Sequence, residues 1–128
     1  MPEEAGRGLG FTKVSDDAAG VVLIINHGSD KNVKVVTIKS GYARGGYSHA
    51  YPESFFVVAG ELTYFSGSEK DHEERKVTAG SRIQTVSGVP HMFIAQEDSV
   101  LFEITPVGDY HADAYAPWRK IVKDLMKY

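Results

Sequence analysis

The chain has no cysteine among its 128 residues. This absence excludes disulfide bridges, thiolate metal sites and a cysteine nucleophile, and it is consistent with a reducing compartment. No apolar run approaches the ~18 residues that a membrane helix needs, and the N-terminus lacks the basic start and apolar segment of a secretion signal. We therefore expect a soluble cytoplasmic protein with no membrane partner.

The net charge is also small. It is -3 at neutral pH, and no basic run is present. Proteins that bind nucleic acid usually present clustered lysine and arginine to the phosphates, so the sequence argues against a nucleic-acid partner. The acidic segment 69–74 predicts a solvated loop. With 42% hydrophobic residues, the chain is long enough for one domain with its own core, which we place over 1–128.

Short apolar or alternating runs recur along the chain between glycine, proline, serine and aspartate. This pattern predicts many antiparallel strands joined by tight turns, and hence an all-β sandwich or barrel. The run at 21–25 is apolar throughout, which predicts a strand buried on both faces. The other predicted strands are 33–38, 55–59, 62–65, 82–86, 91–95 and 100–105.

The two ends of the chain differ from this pattern. Residues 1–10 contain three glycines and a proline, and we expect a flexible arm there. In the C-terminal segment, apolar residues recur at helical spacing behind Pro117, a residue favoured in a first helical turn. We predict one α-helix over 113–127, with an apolar stripe that packs on the barrel or on a second subunit: Trp118, Ile121, Val122, Leu125 and Met126.

His49, Glu53 and His91 are candidate metal ligands. Glu53 follows His49 after a short turn and begins the next strand, so hairpin pairing would bring the two side chains together. Closure of the barrel would then place His91 opposite them. Two imidazoles and one carboxylate are a familiar ligand set for Fe(II), Mn, Ni or Zn, with open positions for water and substrate. Each histidine alone is also compatible with an ordinary, partly buried residue that has a hydrogen-bond partner.

The spacing of these residues resembles the two motifs of the cupin family. In words, the first motif is a glycine, five residues, a histidine, one residue, a histidine, three or four residues, a glutamate, six residues and a glycine. The residues in register with it are Gly41, His49, Glu53 and Gly60. The second motif is a glycine, five residues, a proline, one residue, a glycine, two residues and a histidine. The residues in register with it are Gly80, Gly88 and His91.

The resemblance covers roughly 33–106. It implies a single cupin-type double-stranded β-helix, a jelly-roll barrel, here followed by one C-terminal α-helix. It also implies that His49, Glu53 and His91 bind a metal inside the barrel. The motif glycines would occupy turns where a positive φ is convenient, at Gly60, Gly80 and Gly88.

Three positions depart from the family pattern. Val86 replaces a proline and Ala95 an asparagine, but Tyr47 stands where the family has its first metal-binding histidine. Alternation places Tyr47 on the same strand face as His49. Tyr47 is then a fourth metal ligand, or a general acid that donates a proton to a substrate oxygen, or the mark of a site that holds no metal.

Alternation along the neighbouring strands predicts further cavity residues. Glu103, in the run VLFEIT, is the second candidate for proton transfer beside Tyr47. Its carboxyl group faces either the water or the cavity, where burial would raise its pKa into a useful acid/base range, and the outward orientation is slightly favoured. The predicted substrate-binding residues are Tyr51, Tyr64, Gln84 and Phe93.

Taken with the resemblance, these residues predict a metal-dependent enzyme of isomerase, epimerase or lyase type. One divalent transition metal, Fe, Mn, Ni or Zn, would polarise a substrate oxygen while Tyr47 or Glu103 moves a proton. The expected substrate is a small oxygen-rich molecule such as a sugar, uronate or keto acid. The alternatives are an Fe(II)-dependent dioxygenase and a non-catalytic module that binds a small molecule. The resemblance also implies a homodimer, with the N-terminal arm or the C-terminal helix at its interface.

Overall fold

Two antiparallel β-sheets face each other in the computed structural model, which describes residues 11–25, 31–106 and 112–126. These residues form the strands β1 (Phe11–Asp17), β2 (Gly20–Ile25), β3 (Lys31–Ile38), β4 (Ala43–His49), β5 (Ser54–Ala59), β6 (Glu61–Gly67), β7 (His72–Thr78), β8 (Arg82–Gln84), β9 (His91–Ala95), β10 (Ser99–Pro106) and β11 (Ala112–Ala114), and the helix α1 (Ala116–Leu125). The predicted N-terminal arm lies outside the described residues.

Most neighbouring strands are not consecutive in the chain. One sheet has six strands in the order β1-β2-β3-β10-β5-β8, and the other has five in the order β11-β4-β9-β6-β7. The chain therefore crosses repeatedly from one sheet to the other, as it does in a jelly roll. The predicted all-β fold with one C-terminal helix is confirmed.

The main core lies between the sheets. Alternate residues of each strand point inward, and their apolar side chains interdigitate, as Val57 and Leu101 of the six-stranded sheet do with Leu62 of the other. A second cluster lies on the outer face of the five-stranded sheet. There Trp118 of α1 packs against Met92, and its indole N–H donates a hydrogen bond of 3.0 Å to the Gly67 carbonyl.

Helix α1 begins later than the sequence predicted. Pro117 stands in its first turn as expected, but residues 112–114 form β11 instead of helix. Ala114 pairs with Tyr47 of β4, so strand hydrogen bonds replace the predicted first turn. Residue 127 lies outside the described residues. Nowhere in the described ranges is there a helix long and apolar enough to span a membrane.

Two further predictions are corrected. The acidic segment is not wholly a loop, because Glu73 and Glu74 belong to β7, an edge strand whose charged side chains reach water. Strand β2 is only half-buried, because no layer of described residues covers the outer face of its sheet. On that same face Phe102 and Ile104 are 38% and 40% exposed.

Candidate metal centre

The three candidate ligands meet at one end of the barrel. His49 is the last residue of β4, His91 is the first of β9, and these strands are neighbours in the five-stranded sheet. Glu53 immediately precedes β5, which belongs to the other sheet. The predicted hairpin between His49 and Glu53 is therefore wrong. The chain instead crosses between the sheets at 50–53, and this crossing brings the carboxylate to the imidazoles.

The donor atoms converge closely. One atom from each of His49, Glu53 and His91 lies within 4.8 Å of the others. Oε1 of Glu53 is 3.0 Å from Nδ1 of His49 and 3.1 Å from Nε2 of His91. Glu53 and His91 are only 3% and 5% exposed.

These contacts are short without being hydrogen bonds. Oε1 of Glu53 and Nδ1 of His49 are buried, and neither has a hydrogen-bond partner of acceptable geometry among the described residues. Buried polar atoms are normally satisfied, so a convergent set that is not satisfied requires an explanation. Two imidazoles and a carboxylate whose lone pairs share one space fit a divalent transition metal.

Backbone hydrogen bonds hold the ligands in position. The N–H of Glu53 donates to the Thr85 hydroxyl at 2.8 Å, and the N–H of Thr85 donates to the Glu53 carbonyl at 2.9 Å. The N–H of Gly88 donates to the His49 carbonyl at 2.7 Å. The predicted positive φ at this motif glycine is confirmed, at 77°. Sequence reasoning missed Thr85, because its spacing is that of any inward-facing strand residue.

A cavity of about 500 Å³ opens beside the three donors. Its walls include three residues that were predicted to line it, Tyr47, Tyr51 and Phe93. The ring of Tyr51 lies 5.3 Å from that of His49, between centroids. Apolar side chains from the six-stranded sheet, Phe55 and Leu101 among them, form much of the remainder.

Two of the predicted substrate-binding residues do not line this cavity. Gln84 is exposed, because its neighbours Ile83 and Thr85 take the inward positions. Tyr64 does point inward, but it is buried in the core, with its ring centroid 5.0 Å from that of Phe93. Burial is the main reason that the pKa of Tyr64 is raised. Tyr64 therefore packs behind the cavity wall, against Phe93, instead of lining the cavity.

Glu103 faces the cavity, and the outward orientation favoured by the sequence is wrong. On β10 the inward face is the one that carries the buried Leu101 and Thr105, while Phe102 and Ile104 are exposed. Burial, followed by a hydrogen bond to Glu53 and the negative charge of that carboxylate, raises the pKa of Glu103 to about 8. Lys34, whose Nζ lies 3.9 Å from the Glu103 carboxylate, opposes the shift.

Glu53 titrates in the opposite direction. Burial disfavours its charged form, but the contacts from His49 and His91 and a hydrogen bond from Glu103 outweigh burial. The pKa of Glu53 therefore lies well below its usual range. The site thus places an ionised carboxylate among the donors and a neutral carboxylic acid beside it.

Tyr47 lies opposite His91 in the β4–β9 ladder, and its ring contacts an arginine. The Arg119 guanidinium carbon is 4.7 Å from the centre of the Tyr47 ring. Sequence reasoning identified neither Arg119 nor the other cavity cations, Lys34 and Arg44. Nothing in the local pattern distinguishes them from surface residues, because it is the strand and helix packing that turns them inward.

Comparison of sequences finds no relative: neither a protein-family model nor a curated protein matches the chain. Solved structures do match. Vicilin from hazelnut, Corylus avellana, has a TM-score of 0.68 at 17% identity, over 81% of this chain and 34% of its own. Hydroxypropylphosphonic acid epoxidase from S. wedmorenis has a TM-score of 0.64 at 20% identity, over 82% and 56%.

A mutant of oxalate decarboxylase from Bacillus subtilis matches with a TM-score of 0.68 at 17% identity, over 84% of this chain and 30% of the decarboxylase. The chain thus spans well under two thirds of each of these three proteins. At such identities the similarity concerns the fold. All three are cupin-fold proteins, and their two-sheet barrel is the one described above. The chain therefore has the cupin fold.

Proposed function

We propose that the protein is a metal-dependent enzyme that moves a proton on a small oxygen-rich substrate, in chemistry of isomerase, epimerase or lyase type. One observation carries the proposal. The carboxyl group of Glu103 faces the same cavity as the convergent donors of His49, Glu53 and His91. A buried acid beside a ligand cluster is the arrangement that acid–base catalysis on a metal-held substrate requires.

His49, Glu53 and His91 would hold one divalent transition metal, Fe, Mn, Ni or Zn. When bound, such an ion acts as a Lewis acid toward a substrate oxygen. Three protein ligands leave coordination positions for that oxygen. The donors lie at the wall of the cavity, where a small molecule has access to them.

Two proton-bearing side chains flank the cavity from different sheets. Glu103 belongs to β10 in the six-stranded sheet and Tyr47 to β4 in the five-stranded sheet. When one of the two groups is ionised, a substrate held between them can give a proton to that group and receive a proton from the other. Phe93 and Leu101 make part of the wall apolar, which excludes water and strengthens the electrostatic interactions of the site.

The fold alone leaves the reaction open, because the matching structures include proteins named as an epoxidase and as a decarboxylase. The proposal therefore rests on the side chains of this chain. A sugar, uronate or keto acid has the adjacent carbonyl and hydroxyl groups on which a proton transfer of this kind can operate.

The test is incorporation of deuterium from D₂O into candidate uronates, sugars and keto acids, followed by NMR with protein loaded in turn with Fe, Mn, Ni and Zn. We expect exchange with at least one pair of metal and substrate. Glu103→Gln should abolish the exchange and keep the metal. Glu97→Gln, the same change at an exposed glutamate, should have no effect.

Three results would contradict the proposal. Undiminished exchange in Glu103→Gln would remove Glu103 from the reaction. Oxygen consumption by the iron form without proton exchange would indicate the dioxygenase. Tight binding of a candidate substrate with neither reaction would indicate a non-catalytic binding module.

A further inference from the structure

Helix α1 contributes to the cavity as well as to the outer core. Two of its side chains, Arg119 and Val122, line the cavity together with its C-cap residue, Met126. They reach it beside β4, whose neighbour on that side is the short strand β11, paired with residues 47–49. No strand of the described residues pairs with β4 before Tyr47 on that side, and α1 lies against this part of β4.

Two consecutive glycines of β4, Gly45 and Gly46, contact the Arg119 side chain. Gly46 has φ +88°, and a Cβ placed there would lie 2.8 Å from Cδ of Arg119 and 3.0 Å from its backbone nitrogen. Only glycine allows this close approach. The guanidinium Nη1 donates a hydrogen bond of 2.7 Å to the Gly45 carbonyl, and the group lies over the Tyr47 ring. Arg119 is thus held in one orientation at the cavity wall.

No carboxylate among the described residues compensates the charge of Arg119. Of the cavity cations, Arg44 makes an ion pair of 3.1 Å with Asp17, and Lys34 faces Glu103 at 3.9 Å. Arg119 is half-buried, yet within the described ranges it contacts a carbonyl and an aromatic ring and no carboxylate. Its guanidinium has five N–H donors, of which the Gly45 carbonyl occupies one.

We propose that Arg119 forms an anion subsite that binds the carboxylate or phosphate group of the substrate, next to Tyr47. A planar guanidinium that is already oriented and partly desolvated matches the two oxygens of such a group, and no carboxylate of the described residues pairs with its charge. The inference rests on the proposed function in taking this ligand to be the substrate. It narrows the substrate class to acids, such as a uronate, a keto acid or a phosphorylated sugar, and excludes neutral sugars.

The test measures binding to the full chain by calorimetry, with the metal removed by a chelator so that no ion can bind the anion. The probes are glucuronate and inorganic phosphate, with glucose as the neutral counterpart of glucuronate. We expect at least one anion to bind and glucose not to bind. Arg119→Gln should weaken anion binding about tenfold or more, because a charged hydrogen bond is lost.

Two variants separate this role from a structural one. Arg119→Lys keeps the charge without the planar fork, so it should restore part of the affinity. Lys120→Gln removes the same charge from the exposed side of the same helix, where Lys120 pairs with Asp124, and should bind anions as the wild type does. Thermal unfolding of each unliganded variant shows whether the substitution has changed the stability of the fold.

Failure of both anions to bind, equal binding of glucose, or unchanged affinity in Arg119→Gln would each overturn the subsite. The two proposals fail separately. If the protein binds anions through Arg119 but catalyses no deuterium exchange with any of the four metals loaded, the subsite stands and the proposed enzyme is wrong. If the protein catalyses deuterium exchange on a neutral sugar and Arg119→Gln does not change this, the proposed enzyme stands and the subsite is wrong.

Discussion

The backbone N–H of Gly88 donates its hydrogen bond directly to the carbonyl of the candidate ligand His49, at 2.7 Å. Gly88 belongs to the segment that leads into His91, so this bond connects the two parts of the chain that carry the imidazoles. The paired bonds between Glu53 and Thr85 connect the same two segments a second time. The ligand positions are therefore determined by the backbone, and we expect the site to be preformed without metal.

Metal content is the first prediction. His91→Ala removes one of three convergent donors, so protein purified without added metal or an affinity tag should lose most of its bound transition metal, measured by mass spectrometry. His72→Ala is the matched control, because the His72 imidazole pairs with Glu74, away from the donors. Equal metal in the two variants would show that His91 is not a ligand.

Thr85 should matter through the backbone of Glu53. Thr85→Val removes the hydroxyl that accepts the Glu53 N–H and leaves that group buried without a partner. We expect a loss of about 1–3 kcal/mol in the free energy of unfolding and roughly 10- to 100-fold weaker metal binding. Denaturant titration and metal competition measure the two effects. Thr85→Ser keeps the hydroxyl and should lose little stability or metal affinity. A serine variant that is as unstable and binds metal as weakly as the valine variant would contradict this role.

Tyr47 can be separated from the metal ligands. The three donors converge without it, so Tyr47→Phe should retain the metal while losing the proton that a general acid supplies, with turnover reduced by about 10²- to 10⁴-fold. Metal analysis and deuterium exchange on the same sample measure both properties. Loss of metal in this variant would instead identify Tyr47 as a fourth ligand.

The stability of the metal-free protein should fall as the pH rises. The folded chain keeps a proton on Glu103 up to about pH 8, whereas an unfolded chain releases it near the ordinary value of 4.5. Between these values the folded state binds more protons, so its stability decreases with pH through this window. Glu103→Gln cannot ionise and should show a flatter profile of melting temperature against pH. Glu97→Gln should follow the wild type, and parallel profiles for all three proteins would refute the assignment.

The close approach of Gly46 to Arg119 can be tested by substitution. Gly46→Ala places a methyl group against the Arg119 side chain at a position of positive φ, whereas Gly41→Ala has φ +86° and no atom within 4 Å of the added carbon. Gly41→Ala should therefore cost only the backbone strain, about 1–2 kcal/mol. Gly46→Ala should lower the free energy of unfolding by more than Gly41→Ala does, and it should also weaken anion binding. An equal loss of unfolding free energy in the two variants, measured by denaturant titration, would mean that the close approach of Gly46 to Arg119 has no energetic effect.

The sequence predicted the residues of the candidate site but not how the chain brings them together. The motif spacing predicted His49, Glu53 and His91 together, because those positions are set by short local segments. The hairpin between His49 and Glu53 was wrong, because alternation along one strand says nothing about which sheet the next strand joins. Glu103 was ambiguous for a related reason: its neighbours in VLFEIT are apolar on both faces, and the outer face of its sheet is exposed.

Contacts between distant segments were beyond such reasoning. Thr85 and Arg119 act through backbone atoms of Glu53 and Gly45, which no spacing pattern reveals. The expected homodimer and cytoplasmic location stay predictions.

The pairing of β4 with β9 has a consequence for how the protein acquires its metal. The two histidines come from segments far apart in the chain, and they meet only when this non-local pairing forms. Pairings of that kind carry a high loop-closure entropy and form slowly. The unfolded chain therefore offers no complete binding site, and metal loading should be the last event of folding. A chelator present during refolding should leave the rate of sheet formation unchanged and lower only the stability of the final state.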